Sequence, residues 1–337
     1  MKKKEIKNSF IFLALLLWAN SSFSQKIHLP KEIHSNENSI PKAMKKISKV
    51  ILEKDKKDST ISYYNSIFHI QLLAEEYENS GNCIDKYIDS YTINKLRTGK
   101  VFLYKIFAKA SQLSEKKSIP FNEAFKKSFI DSYINLKDVL KPEVTRSING
   151  DTKISDLKER FYKSLKEYKD KDSISIGQAK SLCNAYSKFS IYSKVGQLAQ
   201  KLLEEEDEKI FDIRENVLIK TANGGEVTAL LIRKKGAKRK LPAIFIYNIY
   251  AGSYDFEVAK SAAVNGYIGV AVNTRGKRLS KNEILPFEFD GKDSYKIIDW
   301  ISKHKWCNGD IGMMGGSYLG FSQWSAGDAT VTIAHRK

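Results

Sequence analysis

The chain has 337 residues and a formal charge of +18, from 57 Lys and Arg set against 39 Asp and Glu. The basic residues are overwhelmingly lysine and are interleaved with acids along the whole length. No RNA- or DNA-binding motif accompanies them, so the charge reads as a solvated surface and argues against a nucleic-acid partner. Three cysteines (Cys83, Cys183, Cys307) show no metal-ligand spacing, which leaves no metal site and at most one disulfide.

The first residues carry a secretory pattern. Met1–Lys7 is basic, Phe10–Ala19 is a short apolar core, and Ser22 and Ser24 supply small residues before a cut ahead of Gln25. The apolar core is too short to span a bilayer, so no membrane span is expected, and the mature chain is expected in a periplasm or outside the cell. From about Pro30 to Asp207 the pattern is helical. Apolar stripes recur at Ile47, Val50 and Ile51 and again at Ile61, Tyr64, Ile67, Phe68 and Leu72. Further helices are predicted over Phe121–Leu140, Ile154–Tyr168 and Ser175–Leu203, the last opening on a capping-box pair, Ser175 and Gln178. These stripes must bury against one another. An all-α domain over 25–207 is therefore expected after a signal peptide at 1–24, its role being docking, substrate gating or oligomerisation.

The acidic run Glu204–Glu208 marks a boundary, and the pattern changes after it. Val217–Thr221 and Val227–Arg233 read as strands joined by a turn containing Asn223-Gly224. Leu241–Tyr247 and Tyr267–Val272 are apolar runs suited to strands buried on both faces, separated by a helix over Tyr254–Asn265 that Gly266 stops. A helix over Asp293–Lys303 and a short strand, Ile311–Met314, complete an α/β segment over 208–337. This order predicts a mainly parallel sheet with an antiparallel hairpin at its edge.

Directly after Met314 comes Gly315-Gly316-Ser317-Tyr318-Leu319-Gly320. A serine on a glycine-framed turn between strand and helix presents its hydroxyl at the sheet edge, with the next helix pointing its N-terminus at any developing oxyanion. Ser317 is thus the candidate nucleophile, and the backbone N–H of Tyr318 the candidate oxyanion donor. The strict motif has glycine two residues after the serine; here that place is Leu319.

Four ordered segments resemble the CocE/NonD hydrolases, the cocaine-esterase-like and X-Pro dipeptidyl-peptidase-like serine hydrolases of the α/β-hydrolase fold. They are the serine turn followed by Gln323-Trp324; the run from Asp299-Trp300 through Trp306 and Gly309-Asp310 to Met313; Asn273-Thr274-Arg275-Gly276; and Asn248-Ile249-Tyr250. Asn273 stands where the family usually has Asp, and Ile249 where it has Pro. The resemblance implies hydrolysis of esters or peptide bonds through an acyl-enzyme on Ser317, with no metal or organic cofactor. It also implies that the Tyr250 hydroxyl is the second oxyanion donor, although by its own surroundings Tyr250 reads as a surface loop tyrosine. Arg275 is read as structural, and Trp306 and Trp324 as packing residues.

In this family the acid and then the histidine follow the serine. Only Asp328 and His335 do so here, too close behind the elbow helix to return from later strands. The chain is therefore expected to lack its triad acid and histidine and to be inactive as written, through truncation or a frameshift near Ala326. The alternative is a non-catalytic interaction protein that works through its helices and carries a remnant hydrolase fold. For export, N-terminal sequencing of the secreted chain is expected to start at Gln25, and material still beginning at Met1 refutes this.

Overall fold

The computed structural model describes residues 26–90, 94–150 and 153–334. The expected signal peptide and His335 lie outside them. In chain order the elements begin with β1 (Lys26–His28), α1 (Ile40–Lys54), α2 (Ile61–Leu73), α3 (Tyr77–Asp89), α4 (Asn94–Lys117) and α5 (Phe121–Ile134). Then come α6 (Lys141–Asn149), α7 (Ile154–Lys166), β2 (Ser173–Ser175) and the long α8 (Ile176–Ile210). The α/β segment follows as β3 (Phe211–Lys220), β4 (Glu226–Lys234), β5 (Leu241–Asn248), α9 (Ser253–Val264), β6 (Ile268–Asn273), α10 (Asp290–Ser302), β7 (Cys307–Met313) and α11 (Tyr318–Ala334).

Two compact units result, and the division is not simply helical against α/β. One comprises the chain up to Tyr87 together with Lys153–Tyr192; the other comprises Ile88–Thr152 and Ser193–Lys337. The expected boundary near residue 207 falls inside the last turn of α8. In the first unit Ile47, Ile51, Ile67 and Phe68 of the expected stripes are buried at 1% exposure or less, whereas Val50 and Tyr64 are half-buried and Ile61 is exposed. The Ser175 and Gln178 capping box also forms. The Ser175 N–H donates to Gln178 Oε1 at 2.9 Å, and the Gln178 N–H to Ser175 Oγ at 3.3 Å. The short antiparallel pair β1–β2, with Ile27 opposite Ile174, was not foreseen. The cysteines Cys83, Cys183 and Cys307 are free thiols buried in the protein.

The second unit is built on a five-stranded sheet of order β3-β4-β6-β5-β7. β3 pairs antiparallel with β4 and β4 antiparallel with β6, while β5 runs parallel to both β6 and β7. Every strand except β4 therefore points the same way, with the hairpin at one edge as the sequence predicts. Alternation splits the side chains between two faces. Phe245, Val270 and Val272 face one core with Ile297 and Ile301 of α10. Leu230, Ile246 and Ala271 face the other with Val258 and Ala259 of α9 and with Tyr318 and Leu319 of α11. Close approach of α9 to the sheet depends on Gly269, where a Cβ would stand 1.9 Å from the Ala259 carbonyl oxygen.

The helices α4, α5 and α6 belong to this second unit, and α6 packs on α9. Their joint is ionic. Lys260 of α9 is 1% exposed and donates to Asp207 Oδ2 at 2.5 Å, to Thr145 Oγ1 at 2.5 Å and to Tyr133 OH at 2.7 Å. The Tyr133 hydroxyl itself donates to Asp207 Oδ1 at 2.5 Å. Burial pulls the Lys260 ammonium down to about 8 even though the Asp207 carboxylate holds it up.

A folded pKa below the unfolded one means that protonated Lys260 opposes folding. The unfolded chain binds more protons between about pH 8 and the ordinary lysine range, so this group's contribution to stability rises with pH across that window. Asp207→Asn removes the counter-charge and is expected to cost about 3–5 kcal/mol at pH 7. Denaturant melts should show that loss, and the deficit should shrink as pH rises toward 10. A loss below about 1 kcal/mol at pH 7, or one that does not change with pH, contradicts this account.

Candidate active site

The strand order brings the C-terminal ends of β5, β6 and β7 together at one end of the sheet. At the end of β7 the Met314 N–H still donates to the Phe245 carbonyl at 3.2 Å, after which the chain turns sharply. Gly315 has φ +136°, and a Cβ there would lie 2.4 Å from the Leu319 side chain. Ser317 follows with φ +54°. For a residue with a Cβ that left-handed conformation costs roughly 1–2 kcal/mol, and it is the geometry that lifts a nucleophile off a strand-to-helix turn. Ser317 is exposed, while Tyr318 and Leu319 behind it are buried. Gln323 braces the turn by donating from Nε2 to the Gly315 and Leu319 carbonyls, both at 2.9 Å. Leu319 in the usual glycine position causes no conflict, because its side chain fills the space that Gly315 leaves open.

Tyr318 opens α11, so its N–H is among the first-turn amides without an intrahelical acceptor. Its ring lies 6.3 Å from that of Tyr250, edge to face. The fold thus brings together the three residues singled out from the sequence, Ser317, Tyr318 and Tyr250. Tyr250 is 67% exposed and its backbone N–H donates to Asn248 Oδ1 at 2.9 Å.

Behind the Tyr250 loop stands a residue that sequence reasoning missed. Asp255, in the first turn of α9, is 1% exposed. Its carboxylate accepts from Asn248 Nδ2 at 2.8 Å, Asn273 Nδ2 at 2.9 Å, the Gly252 N–H at 3.1 Å and Arg278 Nη2 at 3.0 Å. Arg278 also donates from Nε to Asn273 Oδ1 at 2.6 Å. This resolves the asparagine at 273. Its amide gives a hydrogen to Asp255 and takes one from Arg278, whereas an aspartate would set a second carboxylate against the first.

A second polar cluster supports the other side. Arg275 makes a two-pronged pair with Asp293, at 2.6 and 2.7 Å, and donates to the Ala222 carbonyl at 2.7 Å in the β3–β4 turn. The Tyr247 hydroxyl donates to Asp293 Oδ2 at 3.1 Å. Hydrogen bonding to Asp293 holds the Arg275 guanidinium above its ordinary range, and burial, then the Asp293 charge, pushes Tyr247 well above its own. Arg275 is structural, as expected. The two tryptophans part ways. Trp306 packs against the core beside Trp300 and His304, whereas Trp324, expected to pack, is 85% exposed because it lies on the outer face of α11.

A mixed sheet with a left-handed serine at the turn between its last parallel strand and the following helix defines an α/β-hydrolase type of fold. Residues 224–332 match the family model described as X-Pro dipeptidyl-peptidase (S15 family). The cocaine esterase of Rhodococcus sp. (strain MB1 Bresler) is 30% identical over 123 residues, which cover 34% of this chain and 21% of that enzyme. This segment is therefore similar to the X-Pro dipeptidyl-peptidase (S15) family and to a cocaine esterase. The chain spans about a fifth of the length of that curated relative. Among solved structures, a CocE/NonD family hydrolase from Staphylococcus aureus aligns over 34% of this chain and 25% of its own, at 21% identity and a TM-score of 0.31. An α-amino acid ester hydrolase aligns over 34% and 23%, at 26% identity and a TM-score of 0.31.

Asn273→Asp is expected to destabilise the fold by about 1–3 kcal/mol at pH 7, with relief as pH falls and one of the paired carboxyls protonates. Thermal melts of Asn273→Asp, Asp255→Asn and the double variant check this. The double variant should recover part of the loss, and strict additivity would show that the two sites do not couple.

Proposed function

We propose that the chain is the nucleophile-bearing part of a serine hydrolase that cleaves ester or peptide bonds through an acyl-enzyme on Ser317. The observation that carries this reading is the left-handed backbone of Ser317, exposed at the strand-to-helix turn with Tyr250 and Tyr318 beside it. In that arrangement Ser317 Oγ attacks the scissile carbonyl, and the carbonyl oxygen, now anionic, meets the Tyr318 N–H and the Tyr250 hydroxyl. Collapse of the tetrahedral adduct expels the alcohol or amine and leaves the acyl group on Oγ; water then releases it by the reverse steps.

The serine also needs a base. Among the described residues of this unit the only histidine is His304, which precedes β7 and so lies at the far end of that strand from Ser317. Asp328 lies on α11, roughly 15 Å along the helix axis from its start at a rise of about 1.5 Å per residue. Neither suits a triad. We therefore read this chain as supplying nucleophile and oxyanion donors, with export as its route and the base and acid drawn from residues other than those described in this unit.

Imidazole in solution can stand in for a missing base. Fluorophosphonate labelling of Ser317 is expected to be slow in this chain and to accelerate as imidazole is added, to vanish in Ser317→Ala, and to fall by roughly 10²–10³-fold in Tyr250→Phe. No Ser317-dependent labelling at any imidazole concentration would favour the interaction-protein reading. Labelling already fast without imidazole and lost in His335→Ala would assign the base to His335.

A further inference from the structure

Between β6 and α10 the chain makes a long excursion, residues 274–289, and its apolar side chains point outward. Ile284, Leu285 and Phe287 are 42%, 44% and 56% exposed. Exposed apolar groups on a slack loop would mean little, but this backbone is pinned. Asn282 Oδ1 accepts from the Glu226 N–H at 2.8 Å, and Ser280 Oγ donates to the Glu226 carbonyl at 2.7 Å. Phe289 lies under the Arg275 guanidinium, 3.9 Å from ring centroid to Cζ. Between those anchors, the Phe287 N–H donates to the Tyr318 hydroxyl at 3.3 Å.

Burial raises the Tyr318 phenol above its ordinary range, and the neighbouring Asp290 carboxyl, only 2% exposed, adds to that. The side chain of the residue after the nucleophile thus holds the backbone of Phe287. Its effect is visible in Phe287 itself, which has φ +71°, a conformation that a bulky side chain seldom adopts without a tertiary reason. Held this way, the Phe287 ring stands 4.9 Å from the Tyr318 ring and 4.8 Å from Phe321, edge to face at 86°. Tyr250 lies 6.3 Å from the same Tyr318 ring, so three exposed rings, Tyr250, Phe287 and Phe321, gather about the side chain of the residue that follows Ser317.

We infer that Phe287 is a specificity-determining residue, whose ring receives a flat apolar group, of the size of a phenyl ring, attached close to the scissile carbonyl. The inference rests on the hydrolase reading of Ser317. Tyr318 acts as the positioning residue for that ring. The site takes its selectivity from ring-on-ring contact, which favours a planar aromatic group over an alkyl chain of equal volume.

Two measurements separate this inference from the reading it rests on. The first is covalent: Ser317 labelling, with imidazole present, by a benzyl and by a methyl fluorophosphonate. The benzyl probe is expected to label about 3- to 10-fold faster, the preference to disappear in Phe287→Ala and to return in Phe287→Tyr. The second is independent of the nucleophile: ¹⁹F line broadening of 4-fluorobenzyl alcohol in the Ser317→Ala chain, lost when Phe287→Ala is added. Phe287→Gly relieves the left-handed backbone and serves as a folded control that lacks the ring. If neither probe labels Ser317 but the broadening depends on Phe287, hydrolysis fails and the aromatic site stands. Equal labelling by both probes, with broadening unaffected by Phe287→Ala, overturns the inference. So does a change in oligomeric state in Phe287→Ala, which would make the ring a contact between copies of the chain.

Discussion

One buried carboxylate ties together the serine-bearing end of this sheet. Asp255 receives hydrogens from the end of β5 through Asn248, from the end of β6 through Asn273, from the start of α9 through Gly252 and from the following loop through Arg278. Each of these segments ends where a regular backbone ladder stops, and each would otherwise leave polar groups stranded away from water. A charge with nearly no exposure is tolerated because four donors, one of them a guanidinium, surround it. Tyr250 inherits its place from this arrangement, since its own N–H is held by the same Asn248 side chain. The Arg275–Asp293 pair does the equivalent work across the other face, fastening the β3–β4 turn and Tyr247 to α10.

The strands and the elbow were legible because their signals are local. Val227–Arg233, Leu241–Tyr247 and Tyr267–Val272 are apolar runs whose strand character needs no partner to recognise, and they match β4, β5 and β6 within a residue or two. The serine turn declares itself through Gly315, the only kind of residue that leaves room for Leu319. The helices were harder. Phe121–Leu140 reads as one periodic segment, yet it breaks after Ile134, where Asn135 caps α5 and a short turn leads into the Pro142-bearing start of α6. That break follows local chemistry too weak to outweigh the apolar period when read alone.

Asp255 and Phe287 were not legible, and the reason is common to both. Their partners come from separate stretches of chain that meet only through the strand order β4-β6-β5-β7. No spacing rule connects Asp255 to Asn273 or Tyr318 to Phe287. Propensity even argues the wrong way at Phe287, because a phenylalanine in left-handed backbone is chosen by tertiary contacts against its intrinsic preference. Trp324 shows the converse error. An aromatic on a helix is a sound expectation for packing, and here the helix turns that position outward.

On the proposed reading, the described residues divide the labour of hydrolysis unevenly. Strain at Ser317, the leading amides of α11 and a rigidly seated Tyr250 loop are all properties of the β5, β7 and α11 junction, and none of them requires a histidine to be formed. Electrostatic preorganisation of this kind survives removal of triad members, leaving roughly 10³–10⁴-fold catalysis over water in a triad enzyme. Proton transfer is the separate task, and the geometry gives it to no described histidine in this unit. On the proposed reading, then, the chain holds the parts of the reaction that depend on backbone shape, and depends on another residue for the part that depends on a pKa. That separation is what makes an added small-molecule base an informative reagent for this protein, since it supplies a proton acceptor and leaves every other contribution to the folded chain.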